Sequence, residues 1–179
     1  MGEDPERDAP IRAIVGRTKE DTMIDTSTIP ASGAHIRSLV KVVEIDTDPA
    51  SAWADWASAE GIMAWWHPAA VDIDLRIGGP FEISFSLDPE PGLRGSEGCR
   101  YLSYIPGEMI SFTWNAPPAL ALRSANTWVA ITFSGSEDGG TTERFVHTGF
   151  LDGPDWDDYL AYFHDAWDHV LELQRAHHA

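Results

Sequence analysis

Basic residues are scarce in this chain: twelve Lys and Arg stand against twenty-nine Asp and Glu, a formal charge of −17. Lys19 and Lys41 are its only lysines, and no basic stripe occurs. Such a surface repels phosphate backbones and anionic headgroups, so neither nucleic acid nor membrane insertion is expected. Cysteine is nearly missing as well. Cys99 alone allows no intrachain disulfide and no cysteine-pair metal site, which suits a reducing cytoplasm. No run approaches the ~18 apolar residues of a membrane-spanning helix. The acidic start, Met1 to Asp8, lacks the basic-then-apolar order of a signal peptide. Convergent metal ligands are also absent from the pattern: His164 and His169 are five apart and do not share a helix face, whereas zinc needs three or four ligands. Gly78-Gly79 leads into Pro80 and a strand rather than a helix, a hairpin turn and not a phosphate loop. No metal and no cofactor is expected.

What the chain does have is tryptophan, eight in 179 residues. Trp is a rigid, voluminous way to fill an interior, so this number implies a large aromatic core or a cavity lined by rings. The length suits one domain with a sizeable core. Residues 1–34 mix charge with proline and glycine and read as a flexible N-terminal extension; the domain itself is expected over 35–176.

A first strand is expected over His35–Asp46, rich in β-branched residues. Asp48-Pro49 then caps and opens a helix, and two short helices are expected, to about Ala57 and from Ala59 to about Trp66. Period-two alternation follows: Val71, Ile73, Leu75 and Ile77, a turn at Gly78-Gly79-Pro80, then Phe81, Ile83 and Phe85. Further strands are expected at Gly95–Tyr104, Glu108–Asn115, Asn126–Ser134 and Thr141–Thr148. The apolar, proline-bearing loop Ala116–Ser124 is placed to cover an opening. From Gly153-Pro154 a long helix carries Trp156, Tyr159, Leu160, Phe163, Trp167, Val170, Leu171 and Gln174 on one continuous face. Its acids, among them Asp155, Asp158, Asp165 and Asp168, form a solvated back. This order predicts an α+β helix-grip fold: a curved antiparallel sheet of about seven strands wrapped around the C-terminal helix, with two short helices after the first strand.

In that order several segments carry a family resemblance. They are Asp48-Pro49-Ala50-Ser51-Ala52-Trp53, Trp65-Trp66-His67-Pro68, Asp74 to Phe81, Gly98-Cys99-Arg100-Tyr101, Pro106 to Trp114, and Thr142 to Phe150 ending His147-Thr148-Gly149-Phe150. Over residues 36–175 the chain resembles the SRPBCC superfamily, which includes START-type and birch-pollen-allergen-like domains. Within it, the chain is similar to the short bacterial form of the activator of heat-shock protein 90 ATPase homologue group. The resemblance implies the same fold, and a fold that hosts binders, carriers and enzymes alike.

Three functions follow as expectations. The first is binding or transport of an apolar small molecule in an internal sheet–helix cavity. Its lining would come from Trp66, Phe81, Ile83, Phe85, Phe112, Trp114, Phe145, His147, Tyr159, Phe163 and Trp167. The second, implied by the resemblance, is a co-chaperone-like interaction module with a chaperone partner. The third is an acid–base cyclase, isomerase or hydrolase using the same cavity. Its catalytic candidates are Glu143 and His147, which the resemblance turns inward with Phe145 on the strand before the last helix. Glu143 stands where the family usually has an aliphatic residue. Either a monomer or a homodimer is compatible with the pattern. Cys99, in a strand with no His nearby in sequence, reads as packing rather than as a nucleophile.

Overall fold

A computed structural model describes residues 35–179. The extension expected over residues 1–34 lies outside the described residues.

Strand β1 (Arg37–Ile45) leads into two short helices, α1 (Pro49–Ala57) and α2 (Ala59–Trp65). Asp48 caps α1 by accepting the N–H groups of Ala50 and Ser51, and Pro49 occupies the first turn, where its missing N–H costs nothing. Ser58 caps α2 through the N–H of Gly61. Gly61 is needed there: a Cβ would lie 2.5 Å from the carbonyl oxygen of Ala54, so α1 and α2 could not meet.

Six strands follow: β2 (Ala70–Ile73), β3 (Phe81–Ser84), β4 (Tyr101–Ile105), β5 (Met109–Asn115), β6 (Asn126–Gly135) and β7 (Thr141–Phe150). All pairings are antiparallel, in the order β1-β7-β6-β5-β4 for the main sheet, with β2-β3 as a separate pair. An isolated bridge between Pro80 and Arg100 joins that pair to the edge of the main sheet. Two expected strands are shorter than their alternation suggests. β2 stops at Ile73 because Asp74 turns the chain: its carbonyl accepts the N–H of Arg76 and its carboxylate accepts the Arg76 guanidinium at 2.5 Å. Ile77 consequently points into solvent. Residues 95–100 form a tight loop organised by Ser96 and Glu97 instead of the start of a strand.

The last element is α3 (Pro154–His177), 24 residues long. Its buried face is Tyr159, Phe163, Trp167, Val170, Leu171 and Gln174, the 3.6-residue stripe expected from the sequence. This is the helix-grip arrangement. The helix does not lie centrally on the sheet, however. It packs against β1 and β7, held by ion pairs from Lys41 to Asp168 and from Arg37 to Asp157, each at 2.6 Å. The β5 side is therefore left uncovered by α3 along part of its length, and loops close over that side instead.

Candidate functional site

β7 presents Glu143, Phe145 and His147 to the interior, because residues at spacing two share a face. All three are fully buried. β7 is central, paired with β1 on one side and β6 on the other, so neither edge register nor solvent can relieve the two polar groups.

His147 is satisfied on both ring nitrogens. The indole Nε1–H of Trp167 donates to His147 Nδ1 at 2.9 Å. An indole nitrogen can only donate, so Nδ1 carries no proton and the ring is the neutral Nε2–H tautomer. Nε2–H then donates to Thr127 Oγ1 at 2.6 Å, and the Thr127 hydroxyl donates to the carbonyl of Trp114 at 3.0 Å. Tyr159 O–H supplies a second donor to Thr127 Oγ1 at 3.1 Å. Every proton in this chain has one acceptor. Burial holds the imidazole down to a pKa of about 3; protonating it would also set two N–H groups head to head at Trp167.

Glu143 is the opposite case. Neither carboxyl oxygen has a hydrogen-bond partner. Trp56 and Gln174 are close enough to favour its charged form slightly, but their donors are used elsewhere. Trp56 Nε1 donates to Gln174 Oε1 at 3.2 Å, and Gln174 Nε2 donates to Asp55 Oδ2 at 3.1 Å. Burial therefore dominates and raises the Glu143 carboxyl to about 8, so it is a neutral acid at pH 7. Asp55 also accepts His178 Nε2 at 2.8 Å, which accounts for the gathering of Asp55, His177 and His178 within 4.8 Å of one another.

A cavity of about 780 Å³ lies on the uncovered side of the helix, open to solvent. Its apolar wall is Trp66 and Phe85, one residue past the ends of α2 and β3, with Trp114 of β5 and Phe163 and Trp167 of α3. The rings of Trp66 and Trp114 stack at 6.1 Å, and Trp114 meets Trp167 at 5.2 Å. These five were among the lining residues expected from the sequence. Phe81, Ile83, Phe112, Phe145, His147 and Tyr159, named with them, are fully buried and stand behind the wall. The reason is volume: Phe81 stacks on Phe112 at 3.9 Å and Phe145 packs on Trp167 at 4.5 Å, so rings fill the space between sheet and helix. The opening is accordingly a lateral pocket and not a void enclosed by the grip. Glu143 does not reach it, nor does His147, and no hydrogen bond joins the two.

The far wall comes from loops that periodicity does not describe. Residues 86–95 supply Pro89, Leu93 and Arg94; the end of β5 and the loop after it supply Asn115, Pro117, Pro118 and Arg123. Arg123 ties the two together. Its guanidinium donates to Asn115 Oδ1 and the Ala116 carbonyl on one side, and to the Gly92 and Gly95 carbonyls, each at 2.8 Å, on the other. Glu97 closes the same turn by accepting the N–H groups of Gly92, Arg94 and Gly95. Burial opposes the charge on Glu97, but those donors and Arg123 outweigh it and hold its carboxyl below the usual range. Arg123→Ala is expected to unlatch both loops, speeding limited proteolysis between residues 85 and 125 while the far-ultraviolet circular dichroism stays unchanged. Arg94, Asn115, Arg123 and Tyr162 went unrecognised in the sequence. The one signal was an arginine set in each of two proline-bearing loops of an otherwise acidic chain. Cys99 is buried, and burial pushes its thiol up to about 12, an inert packing residue.

A bent antiparallel sheet gripping a C-terminal helix, with an aromatic pocket at their junction, defines a helix-grip domain. The chain belongs to the family of activator of Hsp90 ATPase homolog 1-like proteins, whose model matches residues 46–176, within the SRPBCC superfamily. Solved structures share the fold. Protein MLL2253 from Mesorhizobium loti is 23% identical with a TM-score of 0.64, covering 79% of this chain and 96% of its own. CalU16 from Micromonospora echinospora is 19% identical with a TM-score of 0.58, covering 85% and 81%. The Aha1 dimer from Colwellia psychrerythraea is 16% identical with a TM-score of 0.52, covering 78% and 93%. A search of curated proteins finds no significant match. Among the described residues no helix is long and apolar enough to cross a membrane.

Proposed function

We propose that residues 35–176 form a cytoplasmic domain that binds or carries an apolar small molecule in the lateral pocket. One observation carries this reading: a 780 Å³ opening with Trp66, Phe85, Trp114, Phe163 and Trp167 on its wall. Pockets for drug-sized ligands run to about 300–1,000 Å³ and are mostly apolar. Exposed Leu93 and Tyr162 extend the apolar surface outward from the wall, area that gains when a ligand covers it.

The acid–base reading is weaker on this geometry. His147 has no free nitrogen, and neither it nor Glu143 lines the pocket, whereas a general acid or base must reach its substrate within hydrogen-bond distance. The co-chaperone reading is supported by the family name alone.

Titration with the neutral dye Nile red tests the proposal. Saturable uptake is expected, with quenching of tryptophan emission from Trp66, Trp114 and Trp167. Ala166 is a half-buried residue of α3 on the pocket surface. Ala166→Trp, which fills the pocket from α3, is expected to weaken uptake about tenfold or more by removing the space the ligand needs. Uptake that fails to saturate, or that survives the filled pocket, would reject the reading.

A further inference from the structure

We infer that the pocket selects amphipathic organic anions, an apolar body bearing one carboxylate, and that Arg94 is the group that reads the charge. The inference rests on the binding role proposed above and names the ligand class.

Besides the tryptophan indoles, seven side chains with a polar group border the pocket: Ser86, Arg94, Asn115, Arg123, Tyr162, Asp165 and His169. The two other than Arg94 that belong to the loop wall and could hold a head group, Arg123 and Asn115, are already engaged. Arg123 engages its guanidinium with five protein oxygens. Asn115 accepts from Arg123 and donates its amide to the Glu97 carbonyl at 2.9 Å. Asp165 projects into water, its side chain 93% exposed, beside His164 at 3.2 Å. Solvent screens its charge from anything held inside the pocket.

Arg94 differs from all of these. Its Nε donates to the Pro89 carbonyl at 2.8 Å, which fixes the plane of the guanidinium. Its backbone N–H is held by Glu97 at 2.7 Å, which fixes the stem. Its two Nη groups have no hydrogen-bond partner among the described residues, and the side chain borders the cavity. A half-buried arginine anchored through Nε presents a planar pair of donors, which matches the two oxygens of a carboxylate.

The setting strengthens the reading. In a chain of net charge −17, repulsion disfavours anions over most of the surface, so a cation fixed at the edge of an aromatic pocket is the local exception. Charge complementarity there contributes specificity more than gross affinity. The aromatic wall would bind any apolar body; Arg94 would decide which head group enters with it.

Dodecanoate, 1-dodecanol and dodecylamine share one chain and differ only in the head, so tryptophan quenching by each at concentrations below aggregation separates wall from charge. Dodecanoate is expected to bind about tenfold more tightly than the alcohol, the size of a charge-assisted contact at a partly buried site. Arg94→Gln should remove that advantage and leave alcohol binding within about twofold, because the wall is untouched. An unchanged dodecanoate affinity in Arg94→Gln, or a preference for the amine, overturns the assignment to Arg94. If none of the three binds, the pocket itself is not a ligand site and the proposed function fails with it.

Discussion

Replacing Glu143 with leucine is expected to stabilise the protein, and by more at pH 8 than at pH 5. The carboxyl is buried on the central strand β7 with both oxygens unpartnered, so an apolar side chain of similar volume removes a desolvation penalty without orphaning any donor. The pH dependence follows from linkage. An unfolded chain releases this proton near the ordinary 4.5, whereas the folded protein holds it to about 8. Between those values the native state binds one proton more than the unfolded state, and stability falls as pH rises. The slope is at most about 1.4 kcal/mol per pH unit, so the limb is worth several kcal/mol. Urea unfolding of wild type, Glu143→Leu and Glu143→Gln from pH 4 to 9 measures it. Both variants should lose this limb, and Leu should be the more stable of the two. A wild-type limb that persists in both variants would show that Glu143 is hydrated or paired, contrary to its surroundings here.

His147→Phe is expected to act on the other side of neutrality. The folded imidazole stays neutral down to about 3, whereas the unfolded one takes up its proton near 6.5. Across that window the unfolded state binds the extra proton, so stability is lost as pH falls from 6.5 toward 3. Phenylalanine removes this acid limb. It also strands the indole N–H of Trp167, which now donates to His147 Nδ1, and takes one donor from Thr127. An orphaned buried donor costs about 1–3 kcal/mol. The variant should therefore be less stable than wild type at pH 7, with the two stability curves converging or crossing in acid. Parallel curves would mean that His147 is not the acid-sensitive group. Taken with Glu143, the two residues predict a plateau. Between 4.5 and 6.5 their linkage slopes are equal and opposite, so the wild type should show an approximately flat maximum there on top of the smooth drift from its many surface acids.

These expectations separate structure from function in the interior. The residues that looked most chemical in the sequence prescribe stability: His147 joins α3, β6 and β7 through Trp167 and Thr127, and Glu143 taxes the fold at alkaline pH. The ligand contact we propose lies elsewhere, on the loop that carries Arg94. A test of Glu143 and His147 by activity alone would confuse misfolding with catalysis, which is why unfolding against pH is the informative measurement.

The amino-acid order by itself determined the sequence of strands and helices, though not the ends of β2 and β4, and with it the aromatic stripe of α3 and the helix-grip architecture. It could do so because alternation on a strand and the 3.6-residue period on a helix are local properties, readable residue by residue. Trp66, Phe85, Trp114, Phe163 and Trp167 stood out for the same reason, each being a large ring on an apolar face. Only the tertiary structure decided where the empty space lies, since that depends on α3 being drawn toward β1 by Lys41 and Arg37 and on rings filling the middle of the grip. It alone decided that His147 has two partners and Glu143 none, and that the guanidinium of Arg123 is spent while that of Arg94 is free among the described residues. Hydrogen-bond partners in a folded chain come from residues twenty to more than a hundred positions away, and no short-range pattern encodes that choice.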